Sequence, residues 1–174
     1  NSSALVRTQR IGNAAHTYAL SKVADRSNNF MRITYEQTPS IYEASGRTAE
    51  LVPKAITYTG HGGQDGDREI LFNYEGHGDI LWGWRAGNIP LQRTRRLLNI
   101  EVRAQNKLVR RYELKYEPNV GAQGRIQSVQ EAVTDAHCQS PQSTCKPVTT
   151  FDYYDEVGFQ PGVDVESPQT FTTA

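Results

Sequence analysis

Cysteine is scarce in this chain: its 174 residues include only two, Cys138 and Cys145. Two thiols are too few for a disulfide scaffold or for a zinc site built only of thiolates. No apolar run approaches the roughly 20 residues that cross a bilayer as a helix, so no membrane span is expected. An excess of one charge is also missing: 19 Lys and Arg balance 19 Asp and Glu. A broad electrostatic grip on nucleic acid or an anionic membrane needs a basic surplus, so neither is an expected partner. Hydrophobic residues reach only 37%, below the usual share for a compact domain. The chain opens on Asn1, Ser2 and Ser3, with no charged-then-apolar leader. It is therefore expected to be a mature product or a piece of something longer.

Signatures of catalysis are missing too. There is no Gly-x-Ser-x-Gly elbow for a nucleophilic serine and no clustered metal-ligand motif. The four histidines are His16, His61, His77 and His137, and His61 and His77 stand in glycine-rich, turn-like contexts. The glycine runs at 60–63 and 76–78 lead into strand-like sequence, whereas a phosphate cradle leads into a helix and usually carries a lysine. Asp65-Gly66-Asp67 lacks the further oxygen ligands of a calcium loop. The expectation is no catalytic residue, no metal, no cofactor and no enzyme activity.

What is present is alternation with period two. Ile100-Glu101-Val102-Arg103-Ala104 and Leu108 to Glu117 alternate apolar with charged residues. Gln105-Asn106-Lys107 between them reads as a tight hairpin turn. The pattern predicts Tyr112, Leu114 and Tyr116 facing the core with Ile100 and Val102, and Arg111, Glu113, Lys115 and Glu117 on a solvated face. Further strands are expected at 4–9, 17–24, 30–36, 51–59, 69–74, 125–132 and 149–154. Turns are expected at 25–29, 61–67, 75–79 and 119–124, where Gly, Asn and Asp concentrate. Helix signals are weak: 89–99, with Pro90 near its start, is expected to form one or two turns at most. Fold class is therefore all-β, with mostly antiparallel sheet or sheets and negligible helix. Residues 1–156 read as one β module and 157–174, with Gly158, Pro161, Gly162 and Pro168, as an extended tail or linker.

Two features remain. Trp82-Gly83-Trp84-Arg85 is an unusual segment. It suits stacking and hydrogen bonding to a glycan or receptor, or a loop folded back to plug the end of a sheet. Cys138 and Cys145 are close in sequence; a bridge between them is expected if the protein is exported, and two free thiols if it is cytosolic.

Several segments in order resemble SpvB-like proteins and toxin-complex B components. Tyr18-Ala19-Leu20-Ser21-Lys22-Val23-Ala24-Asp25-Arg26-Ser27-Asn28-Asn29 is similar to their W-x-L-S-x-I-x-D-R-x-G-N strand and turn, with Asn28 where glycine is usual. Ile70-Leu71-Phe72-Asn73-Tyr74-Glu75 resembles V-x-F-x-Y-E, and Gly83-Trp84-Arg85-Ala86-Gly87 resembles G-x-R-A-G. Val109 to Tyr116 is similar to V-R-x-Y-x-L-x-Y, Gly124 to Glu131 to G-R-S-x-L-x-S-V-x-E, and Cys145 to Phe151 to C-L-P-P-T-x-F. The resemblance implies a Rhs-shell-like or sandwich-like β module of a secreted, extracellular bacterial virulence protein. In such proteins this region lies upstream of an integrin-like propeller. The implied role is non-catalytic: part of the shell that encloses or delivers a toxic payload. The implied partners are other modules of the same polypeptide and other toxin-complex subunits. A host glycan or receptor is the alternative.

Overall fold

The structure is a computed structural model that describes residues 5–7, 15–39, 48–85, 89–118, 124–133, 137–141 and 144–153. The linker expected at 157–174 and the last two residues of the Gly83–Gly87 segment lie outside them. The strands are β1 (Leu5–Arg7), β2 (Ala15–Tyr18), β3 (Lys22–Ala24), β4 (Asn29–Pro39), β5 (Thr48–His61), β6 (Arg68–Arg85), β7 (Ile89–Ala104), β8 (Lys107–Tyr116), β9 (Ile126–Ala132) and β10 (Thr149–Thr150). Strands β3 to β10 lie side by side in sequence order as one eight-stranded open sheet, while β1 and β2 pair separately. Every pairing is antiparallel. Among the described residues there is no helix, so the fold is all-β.

The turns follow from their residues. Asp25 organises the β3–β4 turn: its carboxylate accepts from the Ser27 and Asn29 amides and from the Asn29 side chain. Asn28 takes φ 61°, the left-handed region that asparagine and glycine tolerate best. Gln105 and Asn106 both have positive φ, 50° and 62°, as a two-residue hairpin of the type that matches strand twist requires.

Register explains the two faces. Ile33, Ile56, Ile70 and Val102 lie opposite one another across β4, β5, β6 and β7. Phe72, Ile100 and Tyr112 align in the same way across β6, β7 and β8. Alternation puts both rows on one face. On the other face, Thr34, Ala55, Leu71, Glu101, Arg111 and Ala132 align across six strands.

The hairpin at 100–117 therefore forms with the predicted pairing, and Ile100, Val102, Tyr112 and Leu114 share a face. Burial departs from expectation. Those four residues are only half-buried, while Arg111 is buried at 7% exposure and Lys115 is exposed. Several of the buried positions, Ala55, Glu101, Arg111 and Ala132, belong to the other row. Among the described residues no large side chain is fully buried, because the big sheet is a single open layer.

Other expectations are corrected. Residues 89–99 are strand throughout: Pro90 lies opposite Trp84 and the arginines pair along β6. The turn expected at 75–79 is the middle of β6, where Gly76 pairs with Arg95 and Leu81 with Arg93. The extra residues on β6 make a wide bulge, which is how glycines are accommodated without ending a strand. The strand expected at 17–24 is divided between β2 and β3.

At the β4–β5 pair, Phe30 lies opposite Gly60 and is buried at 7% exposure. A Cβ on Gly60 would sit 2.6 Å from the Phe30 ring. Lys22 Nζ stands 4.2 Å from the same ring's centroid. The aromatic side chain fills the space that the glycine leaves bare. Gly60→Ala should therefore lower the unfolding free energy by about 1 to 3 kcal/mol, an overpacking cost. Gly76→Ala, whose Cβ would meet nothing within 4 Å, should be nearly neutral. Urea melts of the two variants test this; equal midpoints would contradict it.

Candidate functional site

The polar face carries the densest side-chain chemistry. Its centre is Glu101, buried at 8% exposure. One carboxylate oxygen accepts from Arg103 Nε and Nη2 at 2.9 and 2.7 Å, the other from Arg111 Nε at 3.2 Å. Arg111 in turn reaches Glu113 at 3.8 Å. Glu113 holds His137 Nδ1 at 2.9 Å and accepts from the Cys138 amide at 3.4 Å. The result is a continuous ladder, Arg103–Glu101–Arg111–Glu113–His137. Cross-strand neighbours supply Glu101 and Arg111, positions two apart on one strand supply Arg103 and Glu113, and the disulfide loop brings His137 to Glu113. The same alternation had read as a solvated face; here the charges satisfy one another in the plane of the sheet.

Cys138 and Cys145 are joined as a disulfide, with Cα atoms 5.8 Å apart. The bridge closes a loop that lies along β9. Cys145 bridges to Ala132, Val133 donates to Thr144, and the Lys146 amide donates to Glu131. Ala132 beneath it is fully enclosed. His137 and Gln139 of this loop form one wall of a groove of about 350 Å³. Asn99, Leu114, Tyr116 and the Glu75–Arg96 ion pair also line it. The Arg96 guanidinium lies 4.6 Å from the Tyr116 ring centroid. Burial pushes the Tyr116 hydroxyl above its ordinary pKa; Arg96 pulls it down and Glu75 pushes it up. The phenol stays protonated and donates to the Leu97 carbonyl at 2.6 Å.

A second buried carboxylate stabilises the bulge. Thr94 has no partner on β6, because the bulge skips it. Glu50, from the far half of β5, accepts from the Thr94 amide at 3.3 Å and its hydroxyl at 2.6 Å, and from Arg95 at 3.5 Å. Arg95 also meets Glu36 at 2.9 Å. Nothing in the sequence around Glu50 marks this role, since its partners are distant in the chain.

Trp82, Trp84 and Arg85, expected in a loop, lie instead in β6 opposite Gln92, Pro90 and Ile89. They occupy the end of the β6–β7 hairpin. Among the described residues no group of three or more His, Cys, Asp or Glu is placed to hold a metal ion. His61 pairs with Asn29 at 3.1 Å, well away in sequence and strand from His137.

Comparison with known proteins places the fold. No protein-family model and no curated protein matches the chain. Solved structures do: the crystal structure of TcdB2-TccC3 matches with a TM-score of 0.66 at 12% identity, over 88% of this chain and 10% of that one. The crystal structure of TcdB2-TccC3-TEV matches with the same TM-score and identity, over 88% of this chain and 9% of that one. The sheet described above is thus a toxin-complex-like fold. The chain spans about a tenth of the length of the chains it matches.

Removing Glu101 should expose the cost of the ladder. Glu101→Ala leaves Arg111 enclosed without its main counter-ion and should destabilise by about 3 kcal/mol. Burial alone would raise the Glu101 pKa, but hydrogen bonds and charge from Arg103 and Arg111 outweigh it, so the net shift is downward. A lowered folded-state pKa gives stability that is full above the ordinary carboxylate range and lost as pH falls through the folded value. Denaturant midpoints measured from neutral to strongly acidic pH should fall more gently in Glu101→Gln than in the parent. Parallel profiles would contradict this.

Proposed function

We propose that this chain is a non-catalytic structural β module of a secreted bacterial toxin of the SpvB and Rhs type. Residues 1–156 act as the module and 157–174 as a linker to further parts of the same polypeptide. Its task is mechanical: to contribute a sheet to the shell that encloses or delivers a toxic payload. Its partners are neighbouring modules and other subunits of the toxin complex.

One observation carries this role. The apolar rows Ile33–Ile56–Ile70–Val102 and Phe72–Ile100–Tyr112 are half-buried at every position, and none of their side chains is fully enclosed. A self-sufficient binding domain or enzyme normally builds two packed layers around one core. An apolar face that is only partly enclosed favours a further surface that covers it. The likeness in fold to the TcdB2-TccC3 structures, where the matching part is a small share of the chain, supports a module within something larger. Trp82, Trp84 and Arg85 support a second role, contact with a glycan or receptor, because they lie at the end of the long β6–β7 hairpin.

The chain produced by itself should bind the apolar dye ANS under native conditions and self-associate as its concentration rises. Fluorescence titration and sedimentation velocity read both. A chain that stays monomeric and leaves the dye dark would contradict the structural role.

A further inference from the structure

We propose that the groove between the disulfide loop and the Glu75–Arg96 pair binds a neutral, hydroxyl-rich ligand: a short stretch of uncharged glycan. The proposal rests on residues other than Trp82, Trp84 and Arg85, and it does not require the structural role proposed above. At about 350 Å³ the groove falls at the small end of ligand-binding cavities.

Asn99 is the first reason. It is buried at 7% exposure and lines the groove. Its Oδ1 accepts from Asn73 Nδ2 at 2.7 Å, while its own Nδ2 has no partner among the described residues. A buried amide left without an acceptor is costly, and the groove is where an acceptor can reach it.

The balance of charge is the second. Arg96 and Lys115 balance Glu75 and Glu113 in the lining of the groove, so the lining favours neither an anion nor a cation. Both carboxylates are held in place, Glu75 by Arg96 and Glu113 by His137 at 2.9 Å. Each keeps lone pairs free to accept from a hydroxyl. Gln127 and Gln139 add exposed amides on either side, and each both donates and accepts. A sugar hydroxyl does the same, so a run of hydroxyls satisfies this mixture where a phosphate or an ammonium leaves half of it unpaired. The two glutamines are readers of the ligand, and the disulfide loop fixes Gln139 beside the sheet.

The test is a titration of the isotope-labelled chain followed by amide resonances. The probes are maltotriose and N-acetyllactosamine, with glucuronate as the charged control. One or both neutral sugars should shift the Asn99 side-chain amide saturably, with dissociation constants in the millimolar range and glucuronate weaker. The exposed pair Gln127→Ala and Gln139→Ala should weaken binding about tenfold or more without moving the melting temperature. Absence of a saturable shift up to about 10 mM sugar would overturn the proposal. So would tighter binding of glucuronate, unchanged affinity in the double variant, or binding lost only on Trp82→Ala or Trp84→Ala.

Discussion

The pairing of Glu101 with Arg111 across β7 and β8 is the interaction on which the polar face depends. A single-layer sheet has no interior to enclose its side chains. Enclosure arises instead where neighbouring side chains lie across one another and where a loop is fastened on top. On this sheet that place is the row Ala55–Leu71–Glu101–Arg111–Ala132, flanked by small residues and capped at β9 by the disulfide loop. An enclosed charge without a partner is strongly destabilising. The ladder from Arg103 to His137 gives each charge its opposite. It also positions Glu113 to hold the loop that forms one wall of the groove.

The opposite face obeys a different rule. Ile33, Ile56, Ile70, Val102, Phe72, Ile100 and Tyr112 form rows by register and are half-buried. Apolar area removed from water contributes roughly 25 cal/mol per Å², and these rows have realised only part of that. A surface in this state favours whatever covers it. The strict order of strands, each beside its sequence neighbour, suits such a part. It sets up a wide, curved wall from local pairings and leaves its edges and apolar face for other chain segments to meet.

Much of this was legible in the sequence. Period-two alternation located β8 and the end of β7 and placed Ile100 with Tyr112, because the side-chain period of a strand admits no other reading. The Asp25 turn was legible because aspartate and asparagine bind their own backbone. The length of β6 was hidden: Gly76, His77, Gly78 and Asp79 are turn residues by composition, and only pairing with β7 across a bulge keeps them in a strand. Pro90 and the arginines of β7 hid that strand for the same reason. The ladder was hidden more deeply. Alternating Arg and Glu look alike whether water or opposite charges surround them, and which holds depends on the register of three strands. Glu50 and Asn99 carry no local mark at all, since their partners come from far along the chain.

The central claim is that the apolar face of the sheet is only partly enclosed in the chain alone. Hydroxyl-radical footprinting of that chain, read residue by residue, addresses it most directly. The account predicts clear labelling of Phe72, Tyr112 and Leu114, which are half-buried, and strong protection of Phe30 at its enclosed position. Labelling of Phe72 and Tyr112 as low as that of Phe30 would show a covered core on that face and would contradict it.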